Sequence, residues 1–101
     1  MMADITVSEA WRRVGGDTQF IDVREDFEVA DGMIPGARHI SLSTLSARLG
    51  EIDRTRPAIA VCRSGNRSAQ ATDILWAAGY RVDNMGGGML AWQQAGLPMD
   101  R

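Results

Sequence analysis

One stretch of this chain gathers the residue types that nucleophilic chemistry needs. Cys62, the only cysteine, is followed directly by Arg63, Ser64, Gly65, Asn66, Arg67 and Ser68. The thiolate, not the thiol, is the nucleophile, and nearby positive charge or inward-facing N–H groups favour its formation. Arg63 and Arg67 provide the charge. A short loop of small residues can curl so that successive amides point inward as an anion-binding nest. Gly65 and Asn66 are the residue types that tolerate the left-handed backbone angles such a curl can need. The pKa of Cys62 is therefore expected below the free-cysteine value of about 8.5. The ordinary alternative is a buried cysteine acting as a small hydrophobe. That alternative gives no reason for two arginines, two serines, a glycine and an asparagine directly after it.

The flanking pattern says what must hold this loop in place. Ala58-Ile59-Ala60-Val61 reads as a short buried strand, which puts Cys62 at its carboxyl end. From about Asn66, Ala71, Ile74, Leu75 and Ala78 fall at helical spacing, and Gly79 sits where a helix stops. The first turn of that helix has unpaired N–H groups and partial positive charge, and both face the cysteine loop.

The rest of the chain alternates in the same way. Ile5 ends a short first strand, and Thr6 and Glu9 have capping-box spacing for a helix whose apolar face is Val7, Trp11 and Val14. Trp11 is read as core or helix–sheet packing, not as a ligand platform. Phe20-Ile21-Asp22-Val23 is a second strand, followed by a short helix through about Ala30 with Phe27 as its anchor. Asp22 and Arg24 lie near a strand's carboxyl end, where open α/β sheets place their sites. Asp22 is expected to cap or pair locally and hold its loop, not to transfer protons. Met33 to Ala37 form a turn into a brief strand near Arg38-His39-Ile40, with His39, the sole histidine, in a hydrogen-bonded structural role. Leu42, Leu45 and Leu49 mark one face of a third helix, capped by Ser43 and ended at Gly50. Asp53 to Pro57 form a charged loop. Tyr80 to Met85 read as a fifth strand entering Gly86-Gly87-Gly88, and Met89 and Trp92 lie on a last helix ending at Gly96. The three glycines lack phosphate-loop spacing and the chain has no lysine, so close backbone approach to the cysteine loop explains them better. Five strand-like and five helical segments in alternation argue for an α/β sandwich on a parallel sheet.

Size and composition narrow the function classes. A chain of 101 residues, 45% hydrophobic and 24% charged, fits one soluble domain spanning 1–101. A net charge of −2 argues against nucleic-acid binding, which needs a basic excess. One cysteine excludes an internal disulfide and a Cys-x-x-Cys motif, and no cluster of His and carboxylates suggests a metal or a cofactor. The start, Met1-Met2-Ala3-Asp4, lacks the regions of a signal peptide, and no apolar run is long enough for a membrane span. A cytoplasmic, reducing setting is the expectation.

Several of these segments also carry a family likeness. Cys62 to Ser68 resembles the active-site loop of rhodanese-type sulfurtransferases. Ile21 to Glu25, Ile34 to Ala37, Gly87 to Trp92 and Ala95 to Pro98 resemble further family signatures, in family order. The resemblance implies a three-layer sandwich, with a five-stranded parallel central sheet flanked by helices on both faces. It also implies sulfane-sulfur transfer from thiosulfate or another donor, through a persulfide on Cys62, to cyanide in vitro or thiols in cells. In that reaction Arg63 and Arg67 would orient the anionic donor, Arg67 through a bidentate fork, while Ser64 and Ser68 offer hydroxyls and Gly65 and Asn66 shape the loop. The acceptor would be a low-molecular-weight thiol or a thioredoxin-like protein. The family commonly has His where this chain has Met33, so hydrogen-bond support around Asp22 is expected to be weaker. Two other readings stand beside it. A persulfide carrier docking a partner protein would use the same Cys62. Cysteine-dependent phosphatases also set a thiolate in an amide nest, but hold one residue more than the four between Cys62 and Arg67, so the cradle here is narrower.

Overall fold

The computed structural model describes residues 3–101; Met1 and Met2, the first half of the amino-terminal stretch read above, lie outside them. Five parallel strands make one sheet: β1 (Asp4–Ile5), β2 (Gln19–Asp22), β3 (Arg38–His39), β4 (Ala58–Val61) and β5 (Val82–Met85). Their order is β1-β5-β4-β2-β3, so β4 is central, with Ala60 opposite Ile21 on one side and Asn84 on the other. Four helices accompany them: α1 (Val7–Arg12), α2 (Asp26–Val29), α3 (Asn66–Ala77) and α4 (Gly88–Gln94).

The two-residue period of a strand divides the core. Ala58, Ala60 and Cys62 turn to one face, under Ala71 and Leu75 of α3 together with Ile40, Leu45 and Ile52. Ile59 and Val61 turn to the other, against Ala10 of α1 and Met89 and Trp92 of α4. A strand buried on both faces needs an unbroken apolar run, as β4 has. This is the sandwich expected from the sequence.

Local chemistry sets the element ends. Glu9 donates its backbone N–H to Thr6 Oγ1 at 3.1 Å, the cap half of the expected box. The α3 helix closes with Gly79 at φ 92°, Gly79 N donating to the Trp76 carbonyl and Tyr80 N to that of Leu75. That is a Schellman ending, in which Gly takes the left-handed position without a Cβ clash.

Three expectations need correction. The third helix is not α-helical: Leu42–Ala47 and Leu49–Glu51 are 3-10 turns, with Ser41, not Ser43, at the first N-cap. Ser43, Thr44 and Ser46 crowd this segment with side chains that compete for backbone groups, and Thr44 Oγ1 donates to the Ser41 carbonyl at 3.1 Å. Phe27 does not anchor α2, for it is 76% exposed. Trp11 is half-buried at best, with its ring meeting Trp92 edge-on at 6.0 Å.

Candidate active site

The strand-to-helix turn after β4 wraps a ring of donors around the Cys62 sulfur. Gly65 donates its backbone N–H to Sγ at 3.0 Å, and the Ser68 hydroxyl donates at 3.3 Å. Burial pushes the thiol pKa up. Against it stand the Ser68 hydroxyl and the backbone N–H groups of Ser68, Gly65 and Ser64, and the net result lies below the ordinary thiol value. Ser68 is the third residue of α3, so its N–H is one of the helix's unpaired donors. Cys62 is 1% exposed. Its sulfur is covered, by apolar residues on the side of Ala71 and by donors turned toward it on the side of the loop, and those donors distinguish this site from a wholly apolar cysteine pocket.

Glycines let the backbone close this tightly. Gly65 caps α3 at φ 108°, a left-handed conformation, whereas Asn66 is helical and takes no such angle. Gly88, at φ 58°, lies so close beneath the loop that a Cβ there would stand 2.4 Å from the Arg63 carbonyl oxygen. The start of α4 then ties down the same peptide units, Met89 N donating to the Cys62 carbonyl at 2.9 Å and Leu90 N to that of Arg63 at 3.0 Å. Asn84 on β5 donates through Nδ2 to the Gly65 carbonyl at 3.2 Å and to Asp4 at 3.0 Å. Close approach of the glycine run to the cysteine loop, expected from the sequence, is therefore present.

The charged residues around the loop are mostly paired. Asp22 and Arg24 are both buried, with Nη2 donating to Oδ2 at 2.8 Å and Nε to Oδ1 at 3.0 Å. Arg24 also donates its backbone N–H to Asp22 Oδ1 at 3.1 Å and Nη2 to the Gly32 carbonyl at 2.8 Å. His39 Nε2 meets the Arg24 carbonyl at 2.7 Å. Arg24 thus gives Asp22 its partners without any side chain from position 33. Met33 instead forms a backbone bridge to Asp100. The weaker support expected from the missing imidazole is not seen at this carboxylate.

Arg67 carries the main surprise. Its two Nη groups donate to Glu28 Oε1 and Oε2 at 2.6 and 2.8 Å, so the fork expected to meet a donor already holds a carboxylate. The Arg67 guanidinium holds Glu28 well below the usual carboxylate range, at about 2. Glu28 Oε1 also accepts the Glu25 N–H at 2.9 Å, closing a capping box at the start of α2. Of the loop side chains, Arg63, Ser64 and Asn66 are exposed, and Ser68 is buried against the sulfur. Sequence reasoning missed Glu28, Asn84 and the special closeness of Gly88. The Glu25-Glu28 spacing was a legible cap signal; nothing local announced a partner in Arg67, 39 positions away.

No group of three or more His, Cys, Asp or Glu among the described residues could hold a metal ion, and no helix among them is long and apolar enough to cross a membrane.

Comparison with known proteins agrees with this geometry. A curated protein named sulfurtransferase from Allochromatium vinosum is 42% identical over 84 residues, covering 82% of this chain and 78% of its own. The solved structure of a rhodanese-related protein from Thermoplasma volcanium superposes with a TM-score of 0.92 at 28% identity, covering 97% of each chain. A rhodanese-like domain protein from Staphylococcus aureus gives 0.88 at 34% identity, covering 99% of this chain and all of the other. A family model described as the rhodanese-like domain matches residues 6–95. A cysteine cradled between central strand and helix, on a sheet shared with these proteins, thus has its family: the chain belongs to the rhodanese-like domain proteins.

Proposed function

We propose that this chain is a sulfurtransferase using Cys62 as its nucleophile. The observation that carries the reading is the Sγ atom facing Gly65 N–H and Ser68 O–H at 3.0 and 3.3 Å. The Cys62 thiolate attacks the outer sulfur of thiosulfate, the bond between the two thiosulfate sulfurs breaks, and sulfite leaves with the electron pair. Cys62 then carries a persulfide anion. Cyanide, or a thiolate acceptor from a small thiol or a thioredoxin-like protein, takes the outer sulfur and returns the thiolate. The transfer is a two-stage covalent mechanism with ping-pong kinetics.

The N–H groups of Ser64, Gly65 and Ser68 stabilise the anionic sulfur at each stage, since fixed donors cost no reorganisation when charge moves. Ser68 adds a hydroxyl donor, and exposed Arg63 attracts the anionic donor. Cys62 is 1% exposed, and transfer of a single terminal sulfur asks for less room beside it than transfer of a phosphoryl group would. A thiolate formed in this way needs no general base, which leaves His39 to its structural bond. A reducing, cytoplasmic setting suits a lone thiol that must stay available.

The test is thiocyanate formation from thiosulfate and cyanide, run beside phosphate release from an aryl phosphate. Thiocyanate without phosphate, abolished in folded Cys62→Ser, is the expected result. Phosphate release would favour the phosphatase reading, and fast transfer only from a persulfidated protein would favour the carrier reading.

A further inference from the structure

Asn84 is a polar side chain in a position that suits an apolar one. It lies on β5 opposite Ala60, on the sheet face that turns Val82 and Cys62 toward α3, and it is 2% exposed. Its Nδ2 donates to the Gly65 carbonyl at 3.2 Å and to Asp4 Oδ1 at 3.0 Å. Both partners accept only, so the amide cannot be turned over, and Oδ1 is left buried with no hydrogen-bond partner among the described residues. A buried orphan of this kind lowers stability, and an apolar side chain of similar shape would avoid it. Neither acceptor depends on the amide. Asp4 is exposed to water, and the Gly65 carbonyl already accepts the Ala69 N–H at 3.1 Å. What the amide adds is restraint at Gly65. That residue carries the shorter of the two donors on the Cys62 sulfur, at 3.0 Å against 3.3 Å for Ser68 Oγ, and holds φ at 108°. Without a Cβ, glycine has the widest choice of backbone angles, so its N–H is the donor that most needs an outside hold.

We propose that Asn84 is a positioning residue for sulfur transfer: anchored on Asp4 and bonded to the Gly65 carbonyl, it fixes the left-handed turn that aims the Gly65 N–H at Cys62 Sγ. The reaction it serves rests on the transfer reading above. Asn84 acts through Gly65 and not on the donor. With that N–H fixed, the anionic sulfur is stabilised both as thiolate and as persulfide. Among the described residues, the charged side chains around these groups are Arg63 and Arg67 on the loop and its helix, Glu28 paired to Arg67 from α2, the closed Asp22–Arg24 pair after β2, and Asp4 on β1. The α4 helix brings none. A substitution at position 84 leaves all of these charges in place.

The experiment compares the wild-type protein with Asn84→Leu in three measurements: urea unfolding, kcat/KM for thiosulfate with cyanide as acceptor across pH, and the rate of alkylation by iodoacetamide over the same pH range. Cys62 is the only cysteine, so alkylation reports on it alone. In a ping-pong reaction the donor's kcat/KM reports the first half-reaction, in which the thiolate attacks. The urea midpoint should hold or rise, because the orphan Oδ1 is gone. On the acid limb both rates should fall ~3- to 10-fold, the effect of loosening one charge-assisted hydrogen bond. On the alkaline plateau, where the thiol is ionised in both proteins, alkylation should change by less than ~2-fold. A loop merely disordered by the substitution would instead lower the urea midpoint and change alkylation equally at every pH. Should Asn84→Leu fail to fold, Asp4→Ala removes the anchor of the amide from the exposed side, and the same shift by a smaller factor is expected. An unchanged alkylation profile in the folded variant, or a change equal at every pH, overturns the positioning role alone. Absence of transfer by the wild-type protein overturns the sulfurtransferase reading and with it the reaction served, while the alkylation profile still decides whether Asn84 aims Gly65 at the sulfur.

Discussion

Two arginine–carboxylate pairs meet at α2, and burial gives them different work. Asp22 and Arg24 have side chains 1% and 5% exposed, and the guanidinium goes on to bind the carbonyls of Gly32 and Glu28. Glu28 and Arg67 are 12% and 32% exposed, at the rim of the cysteine loop. In the first pair both partners are out of water, so losing either leaves a stranded charge. In the second, water screens the attraction and can replace it. The same two functional groups therefore build a frame in one place and an adjustable electrostatic element in the other.

This contrast can be broken by mutation. Asp22→Ala leaves Arg24 buried without a counter-ion, and a loss of roughly 3–5 kcal/mol is expected from urea unfolding. Gly88→Ala puts a Cβ 2.4 Å from the Arg63 carbonyl oxygen. Strain of roughly 1–3 kcal/mol should follow, with a matching loss of transferase activity as the loop opens. Arg67→Ala should cost stability no more than about 1 kcal/mol. It should nevertheless weaken thiosulfate kcat/KM several-fold, since Glu28 is left unpaired at the mouth; equal stability losses at Arg67 and Asp22 would erase the contrast. The smallest effect concerns acid. Glu28 has its pKa lowered from 4.5 to about 2, so its contribution to stability is complete above 4.5 and fades as pH falls toward 2. Glu28→Gln should remove that part of the acid sensitivity, at most about 1 kcal/mol, in unfolding curves taken across this range.

The contrast also marks what the sequence could and could not reveal. The run Ala58 to Val61, the cysteine after it and the helical spacing from Asn66 are local signals, and the structure has β4, the loop and α3 at those places. The local character of the Asp22–Arg24 pair was legible for the same reason, since the partners are two residues apart. Phe27 misled because a lone aromatic in a short helix looks like an anchor, whereas α2 buries no residue at all. The Leu42 to Glu51 segment misled because Leu42 and Leu45, three apart, suit a 3-10 turn as well as an α-helix. Strand order and the Glu28–Arg67 pair are products of the fold, with partners brought together from distant positions, and no spacing within one segment encodes them.

The proposed transfer needs a Cys62 thiolate that accepts a single sulfur atom, and the mass of the intact protein after treatment with thiosulfate tests this most directly. The predicted result is a gain of one sulfur, mapped to the peptide containing Cys62, discharged by cyanide as thiocyanate and absent in Cys62→Ser. An unchanged mass in a folded wild-type protein, or sulfur carried equally by Cys62→Ser, would contradict it.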